Sequence, residues 1–219
     1  MHSESVAPES PPESRRDWLV RQIRNRIASG DLAAGDRLVE RDLSAVYDLS
    51  RGPVREAIMV LEHEGLVVTK PYRGAVVADI EQAEITETLV PIRLIIERAA
   101  FRAVAQSRPE ALLEKLHGIV ARMERASDAR LDVAGIADLD VEFHESVISA
   151  AGHAQSLQIW KTIQPRVRAY FLRDAPQHES PRAIVEQHRL LLDALVEGHS
   201  EQVDEVVVQH IQTYLTDTD

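Results

Sequence analysis

Four polar residues fall on the apolar stripes of three predicted helices, where hydrophobic side chains are expected. At about 100° per residue, Asp140 lies at the centre of the stripe of "IADLDVEFHESVIS", and His144 follows one turn later. His188 lies on the stripe of "PRAIVEQHRLLLDALV", and His210 on that of "EQVDEVVVQHIQTYL". Three imidazoles and one carboxylate suit Zn²⁺ best, with Ni²⁺, Mn²⁺ and Fe²⁺ as further options. The pattern predicts a divalent metal site.

Inward histidines also have a simpler interpretation. A lone histidine on an apolar stripe is more often a hydrogen-bonded core residue, and spacing alone does not show that the four residues converge. The helix at "EALLEKLHGIVARM" serves as an internal comparison, because its stripe is purely apolar and His117 lies off its centre. Inward polar residues are therefore not general in these helices. A buried carboxylate without a partner is costly, which favours the metal interpretation for Asp140.

A second set of residues has the chemistry of nucleic-acid binding. In "DLSRGPVREAIMVLEHEGL", Ser50 can cap a short helix or bind a phosphate, and Arg51 and Arg55 lie one turn apart at its start. Arg41 begins the preceding predicted helix. At the tip of a predicted hairpin, Arg73 is followed by Gly74, which allows close approach to DNA. The alternative is a set of solvated surface charges.

The elements that carry these basic residues predict a winged helix-turn-helix over residues 15–79. Apolar spacing predicts helices at 17–29, 40–47 and 50–64, and Gly65 is expected to end the third. The runs "LVVTK" and "AVVADI" around "PYRG" predict a hairpin. In such a motif the second helix of the pair places its N-terminal residues in the major groove. Residues 1–14, rich in Pro, Ser and Glu, are predicted to be a disordered tail.

The rest of the chain, residues 80–219, is predicted to be a bundle of about six helices, so that the fold is mainly α. The predicted helices are 81–106, 109–126, 132–151, 155–173, 181–197 and 200–215.

The two parts of the chain differ in charge. Residues 15–78 hold 11 Lys and Arg against 9 Asp and Glu, whereas residues 79–219 hold 14 Lys and Arg against 24 Asp and Glu. The net charge of −11 therefore belongs mainly to the second part.

Composition limits the possible classes of protein. The 219 residues include no cysteine, which excludes disulfides and thiolate metal sites. No apolar run approaches the roughly 20 residues of a membrane span, and the N-terminus has no signal-peptide pattern. A cytoplasmic protein without membrane association is expected.

The segment "GDLAAGDRLVERDLSAVYDLSRGPVREAIMVLEHEGLV", followed by "RG", resembles the DNA-binding domain of GntR-family bacterial transcription regulators. The resemblance implies contacts with double-stranded operator DNA at Arg41, Ser50, Arg51 and Arg55, with a wing around Arg73 and Gly74. Gly52 departs from the pattern, because many relatives have threonine there. The chain therefore lacks one hydroxyl that could reach a phosphate.

The helical part resembles the FCD-type ligand domain of the FadR subfamily. The segments "DVEFH", "EQH" and "VQH" match its metal set at Asp140, His144, His188 and His210. The resemblance implies a pocket that holds both the metal and a small carboxylate effector, and it implies a homodimer. Arg93 lies on an apolar stripe and has two interpretations, an effector-binding residue or the i,i+4 partner of Glu97. Further pocket candidates, which the sequence does not rank, are Trp160, Gln164, Arg166, Arg168 and Tyr214.

These features predict a ligand-responsive DNA-binding regulator, a repressor rather than an enzyme. Effector binding is expected to change the relative orientation of the DNA-binding domains. Two alternatives remain. One is a regulator whose metal is purely structural. The other is a metalloenzyme built in a helical bundle, although no separate inward residue is an evident general base and the DNA-binding motif would then be unexplained.

Overall fold

The computed structural model describes residues 14–79, 81–128, 133–178 and 180–213. The predicted tail, residues 1–14, lies outside these ranges except for Ser14. That residue caps the first helix, because its hydroxyl accepts a hydrogen bond from the backbone N–H of Asp17. The helix therefore begins two residues earlier than predicted.

The N-terminal part is a winged helix-turn-helix, as predicted. Leu19, Ile23, Val54 and Leu61 are fully buried and join its helices. Gly65 adopts a left-handed φ of 69° just after the third helix, which a residue with a side chain would adopt only at a cost. The two strands pair antiparallel, with Val67 opposite Val77. The elements are α1 (Arg15–Ala28), α2 (Glu40–Tyr47), α3 (Arg51–His63), β1 (Val67–Lys70) and β2 (Gly74–Val77).

The C-terminal part is helical throughout the described residues. Its elements are α4 (Gln82–Glu84), a π-helical segment (Ile85–Leu89), α5 (Val90–Ser107), α6 (Glu110–Asp128), α7 (Val133–Ala150), α8 (Ala154–His178), α9 (Pro181–Glu197) and α10 (Ser200–Gln212).

Two of the predicted helices differ in detail. The predicted helix at 81–106 is interrupted by the π-helical segment, which adds a residue to one turn just before α5. The segment precedes Pro91, whose missing N–H removes one α-helical hydrogen bond from this turn. The predicted helix at 155–173 continues to His178 through "DAPQH", which was expected to stop it.

The helices of the second part enclose one large core. Phe101 on α5, Phe143 on α7 and Trp160 on α8 are fully buried there. Helix α5 packs against α7, α9 and α10, and α7 packs against α6 and α8. This arrangement brings the inner faces of α5, α7, α9 and α10 together. None of the described helices is both long and apolar enough to cross a membrane.

Helix α8 also contacts the winged helix-turn-helix. It packs against α1, and Ala169 belongs to the hydrophobic core of the N-terminal part. Two arginines of α8 extend this contact. Arg168 Nη2 donates to Asn25 Oδ1 at 3.1 Å, and Arg166 donates to the carbonyl of Gly65. One helix therefore links the core of the helical part to the C-terminal ends of α1 and α3.

Candidate metal centre and nucleic-acid interface

The four residues proposed as metal ligands converge in the core of the helical part. Asp140 and His144 project from α7, His188 from α9 and His210 from α10, and all four are buried. One potential ligand atom from each residue lies within 4.8 Å of those of the others. Asp140 Oδ1 is 3.2 Å from His188 Nε2 and 3.7 Å from His144 Nε2, and the two Nε2 atoms of His144 and His210 are 3.0 Å apart. A tetrahedral ion with bonds of about 2.1 Å separates its ligand atoms by roughly 3.4 Å, which lies within this range.

Each histidine is oriented by a contact at its other ring nitrogen. His188 Nδ1 lies 2.8 Å from the carbonyl oxygen of Ile184, one turn earlier on α9. His210 Nδ1 lies 3.1 Å from Gln187 Oε1, and His144 Nδ1 lies 2.6 Å from Glu97 Oε2. Such contacts hold a proton on Nδ1 and leave Nε2 free to bind an ion, as is usual for metal-binding histidines.

The inward nitrogens of two histidines face each other. When each ring carries its proton on Nδ1, as these contacts favour, the Nε2 lone pairs of His144 and His210 meet at 3.0 Å. His188 Nε2 is fully buried and has no hydrogen-bond partner among the described residues, although the carboxylate of Asp140 faces it. Facing lone pairs repel each other, and a cation between them removes the repulsion. The residues therefore fit a bound cation better than an empty polar core.

Charge states in the site support this assignment. Burial alone raises the pKa of Asp140, but the hydrogen bond with His188 and the positive charge of Arg93 help to outweigh it, and the pKa is lowered to about 2. Burial lowers the pKa of His210 well below its ordinary value, so that this imidazole is neutral near pH 7. An ionised carboxylate and a neutral imidazole are the forms that bind metals.

Arg93 lies beside the cluster, and both interpretations of it find support. Its Nε donates to Glu97 Oε1 at 2.7 Å, which is the predicted i,i+4 pair. The pair is buried rather than exposed, with no accessible surface on Glu97. The Arg93 guanidinium carbon is 5.9 Å from the ring centre of Trp160, which itself lies beside His144. Arg93 thus borders the same space as the candidate metal ligands.

Glu97 is the functional residue that the sequence interpretation missed. Burial raises its pKa, but Arg93 and His144 more than compensate and lower it to about 2. It joins the effector candidate Arg93 to the metal candidate His144. The signal was present, because Glu97 lies four residues from both Arg93 and Phe101 on one helical stripe. The sequence interpretation considered Glu97 only as the i,i+4 partner of Arg93.

Two of the residues named as pocket candidates, Arg166 and Arg168, do not lie at the ligand cluster. Both contact the winged helix-turn-helix instead, since they donate to Gly65 and Asn25. Arg166 also donates to Glu84 at 2.5 Å, and Arg168 also donates to Asp138 at 2.5 Å. Tyr214 lies outside the described residues. His117 is exposed, in agreement with the internal comparison made from the sequence.

The basic residues of the N-terminal part surround one cleft between α3 and the hairpin. The cleft has a volume of about 510 Å³ and is lined by Arg41, Arg51, Arg73 and Gly74, together with Arg37. Arg37 was not predicted, and its Nε donates to the backbone carbonyl of Arg73, which fixes the hairpin tip.

Ser50 and Arg55 lie at the start of the same helix. Ser50 occupies the N-cap position of α3, but its hydroxyl makes no capping hydrogen bond and so remains available to a phosphate. Arg55 is bonded through Nε to Glu40 Oε2 at 2.7 Å, while more than half of its side chain stays exposed. Glu40 thereby orients Arg55 at the surface.

Comparison with known proteins agrees with this architecture. Residues 16–77 match the gntR family of bacterial regulatory proteins, and residues 88–213 match the FCD domain. The chain is 30% identical over 179 residues to the gluconate operon transcriptional repressor of Bacillus subtilis strain 168, which covers 80% of this chain and 72% of the relative. It is 29% identical over 206 residues to the probable D-xylose utilization operon transcriptional repressor of Paenarthrobacter nicotinovorans, covering 93% and 86% of the two chains.

A solved structure extends the agreement to the fold of the whole chain. McbR/YncC from E. coli superposes with a TM-score of 0.76 over 93% of this chain and 96% of that one, at 18% sequence identity. The family matches together span most of both parts. This chain is therefore a GntR-family transcription regulator, with an N-terminal helix-turn-helix domain and a C-terminal FCD domain.

Proposed function

We propose that this regulator is a repressor that responds to a small carboxylate bound beside a divalent metal ion in its helical domain. The observation that carries the proposal is the convergence of Asp140, His144, His188 and His210 in one buried site, where His188 Nε2 has no hydrogen-bond partner among the described residues. Zinc is the best candidate for this N₃O set. The repressor role is supported by the names of the relatives.

Within this function, residues 15–79 read the DNA and residues 80–219 sense the effector. Arg51 and Arg55 contact base edges and phosphates in the major groove, and Ser50 binds a phosphate at the start of α3. Arg41 contacts the backbone, while Arg73 and Gly74 form the tip of the wing. The protein acts as a homodimer on a two-fold operator in the cytoplasm.

Arg93 completes the effector site. A carboxylate that reached both the metal and the guanidinium would place its negative charge between two positive groups in a buried site, where charge pairing is strong. The pair with Glu97 holds the guanidinium in place for this contact. A purely structural metal would make no use of an inward arginine, which favours the sensory role.

Helix α8 offers a route from the effector to the DNA. Trp160 lies beside the metal candidates, whereas Arg166 and Arg168 bond to Gly65 and Asn25 of the DNA-binding domain. Arg168 also bonds to Asp138, two residues before Asp140. A shift of α7 or α8 on effector binding would therefore be transmitted to the ends of α1 and α3.

The metal assignment is tested by elemental emission of purified protein. We expect about one zinc per wild-type chain and almost none in a D140A/H188A variant, with H117A as the matched control for loss of a histidine. Equal metal content in D140A/H188A and H117A would contradict the assignment.

Effector and DNA binding need separate measurements. A thermal-shift panel of small carboxylates, with and without chelator, should identify acids that stabilise only the metal-loaded protein. A panel in which no acid does so would leave a structural metal. For DNA, sites selected from random duplexes should bind wild type and R122A alike, because Arg122 lies on the helical domain, and should bind R51A and R55A far less. Equal binding by all four proteins would refute the assignment of α3.

A further inference from the structure

The indole of Trp160 contains a buried donor with no acceptor. Its side chain has no accessible surface, and within the described residues no acceptor lies in hydrogen-bond reach of Nε1. A buried tryptophan N–H usually finds a partner, because an unmade hydrogen bond in the core costs free energy. The ring therefore has a feature that packing alone does not explain.

The ring lies at the proposed effector site. Its centre is 6.0 Å from the ring centre of His144 and 5.9 Å from the guanidinium carbon of Arg93. The indole thus borders the space between the candidate metal ligands and the proposed effector-binding arginine. A molecule of a few carbon atoms would span from the metal to this ring.

The neighbouring side chains do not supply an acceptor to Trp160 Nε1. Arg93 has donors and no acceptor, and its partner Glu97 uses Oε1 for Arg93 while Oε2 lies against His144. His144 Nε2 lies 3.0 Å from His210 Nε2 and therefore faces the ligand cluster. An acceptor for Trp160 must therefore come from a molecule that enters the site.

We propose that Trp160 donates a hydrogen bond to a hydroxyl group of the effector, which makes the effector a hydroxycarboxylate. This inference rests on the proposed function and narrows its ligand class. The carboxylate of the effector binds beside the metal and Arg93, and the hydroxyl oxygen accepts from Nε1.

Charge balance selects a hydroxyl over a second carboxylate. The site would hold a divalent ion and Arg93 against two ionised carboxylates, Asp140 and Glu97, which leaves one net positive charge. A single effector carboxylate neutralises it. A second would bury an uncompensated negative charge, which is far more costly than burying a hydrogen-bonded hydroxyl.

The inference is tested with matched acids that differ in hydroxylation: lactate with propionate, 3-hydroxybutyrate with butyrate, and gluconate with hexanoate. Calorimetry on zinc-loaded, full-length protein should show that at least one hydroxylated acid binds about fivefold more tightly than its partner, the worth of one hydrogen bond. The W160F variant keeps an aromatic ring over Arg93 but has no N–H, so we expect it to bind both members of the pair equally, at the affinity of the deoxy acid.

The W18F variant is the matched control and also provides a direct readout. Trp18 lies in the DNA-binding domain against Tyr47, so its loss should leave the preference unchanged. Trp160 is then the single tryptophan, and its indole ¹⁵N–¹H resonance should move downfield with the hydroxylated acid and stay in place with the deoxy acid. This measurement does not depend on the folding of W160F.

The possible outcomes separate the two proposals. Acids that bind the zinc-loaded protein without preference for a hydroxyl, or with a preference that W160F retains, would overturn the role of Trp160 and leave the carboxylate sensor intact. An indole resonance that no binding acid moves would have the same meaning. If none of the acids binds the wild type, both the sensor and this inference fail.

Discussion

Replacing Glu97 with glutamine should weaken both zinc binding and folding, because this carboxylate supports two charged partners at once. Glu97 has no accessible surface and contacts Arg93 Nε at 2.7 Å and His144 Nδ1 at 2.6 Å. A glutamine keeps the shape but has a single acceptor oxygen, so that its amide N–H₂ must face one of the two donors.

The magnitude follows from the burial of these groups. Breaking a buried ion pair by neutralising one partner typically costs about 3–5 kcal/mol of folding free energy. For E97Q we expect a loss at the lower end, about 3 kcal/mol, because the amide oxygen still accepts one hydrogen bond. Loss of the contact that orients a metal-binding histidine typically costs roughly 10–100-fold in metal affinity. We expect a zinc dissociation constant about 30-fold above that of wild type.

Two assays at pH 7 measure these effects. Competition with a chromophoric chelator gives the zinc dissociation constant, and urea unfolding at fixed free zinc gives stability. E142Q is the matched control, because Glu142 lies on α7 at the surface, where it pairs with Arg122 at 2.9 Å. Such exposed pairs contribute at most about 1 kcal/mol. If E97Q matched E142Q within about twofold in zinc affinity and about 0.5 kcal/mol in stability, the assigned role of Glu97 would be wrong.

Three further variants test other parts of the molecule. A Cβ at Gly52 would meet no atom within 4 Å, so the G52T variant should fold normally. Because of its added hydroxyl, G52T should bind selected operator DNA about fivefold more tightly than G52A, as measured by fluorescence anisotropy. Equal affinities of G52T and G52A would show that no phosphate lies within reach of this position. The hydrogen bond from Arg98 is the main reason that the pKa of Asp204 is lowered to about 2. D204N should therefore lower the free energy of unfolding by about 1 kcal/mol at pH 6, and the difference from wild type should shrink as the pH falls from about 4 towards 2. A difference independent of pH would contradict the ion pair. R168M should reduce the effect of an identified effector on DNA affinity, while its zinc content stays at the wild-type level. D138N should give the same reduced effect, because Asp138 accepts a hydrogen bond from the Arg168 guanidinium. An unchanged effector response in R168M would exclude Arg168 from the coupling route.

Much of this architecture could be predicted because its signals are local. The helix-turn-helix follows from apolar spacing and end signals within about 60 residues, and the inward positions of the four candidate ligands follow from the period of single helices. The end of α3 at Gly65 is equally local. The π-helical segment before α5 was not predicted, since it depends on how one turn accommodates Pro91 and on packing of the flanking helices.

The long-range contacts of α8 could not be predicted in the same way. Periodicity identifies which face of a helix is buried, but it does not identify the partner that buries it. Arg166 and Arg168 were therefore named among the unranked pocket candidates, although their partners Gly65 and Asn25 lie more than 100 residues earlier in the chain. Glu97 was misjudged for the same reason, because its burial depends on His144 of another helix.

The position of α8 explains how one fold can join sensing to DNA binding. Trp160 and Arg168 are eight residues apart, or about 12 Å along the helix. Because α8 packs against both parts of the molecule, a displacement at Trp160 would be transmitted along the helix to Arg166 and Arg168. There, Arg166 bonds to Gly65, just after the end of α3, and the N-terminal half of α3 carries Arg51 and Arg55. Under the proposed function, a change of less than about 1 Å at Trp160 would thus tilt α3 without rearranging either core.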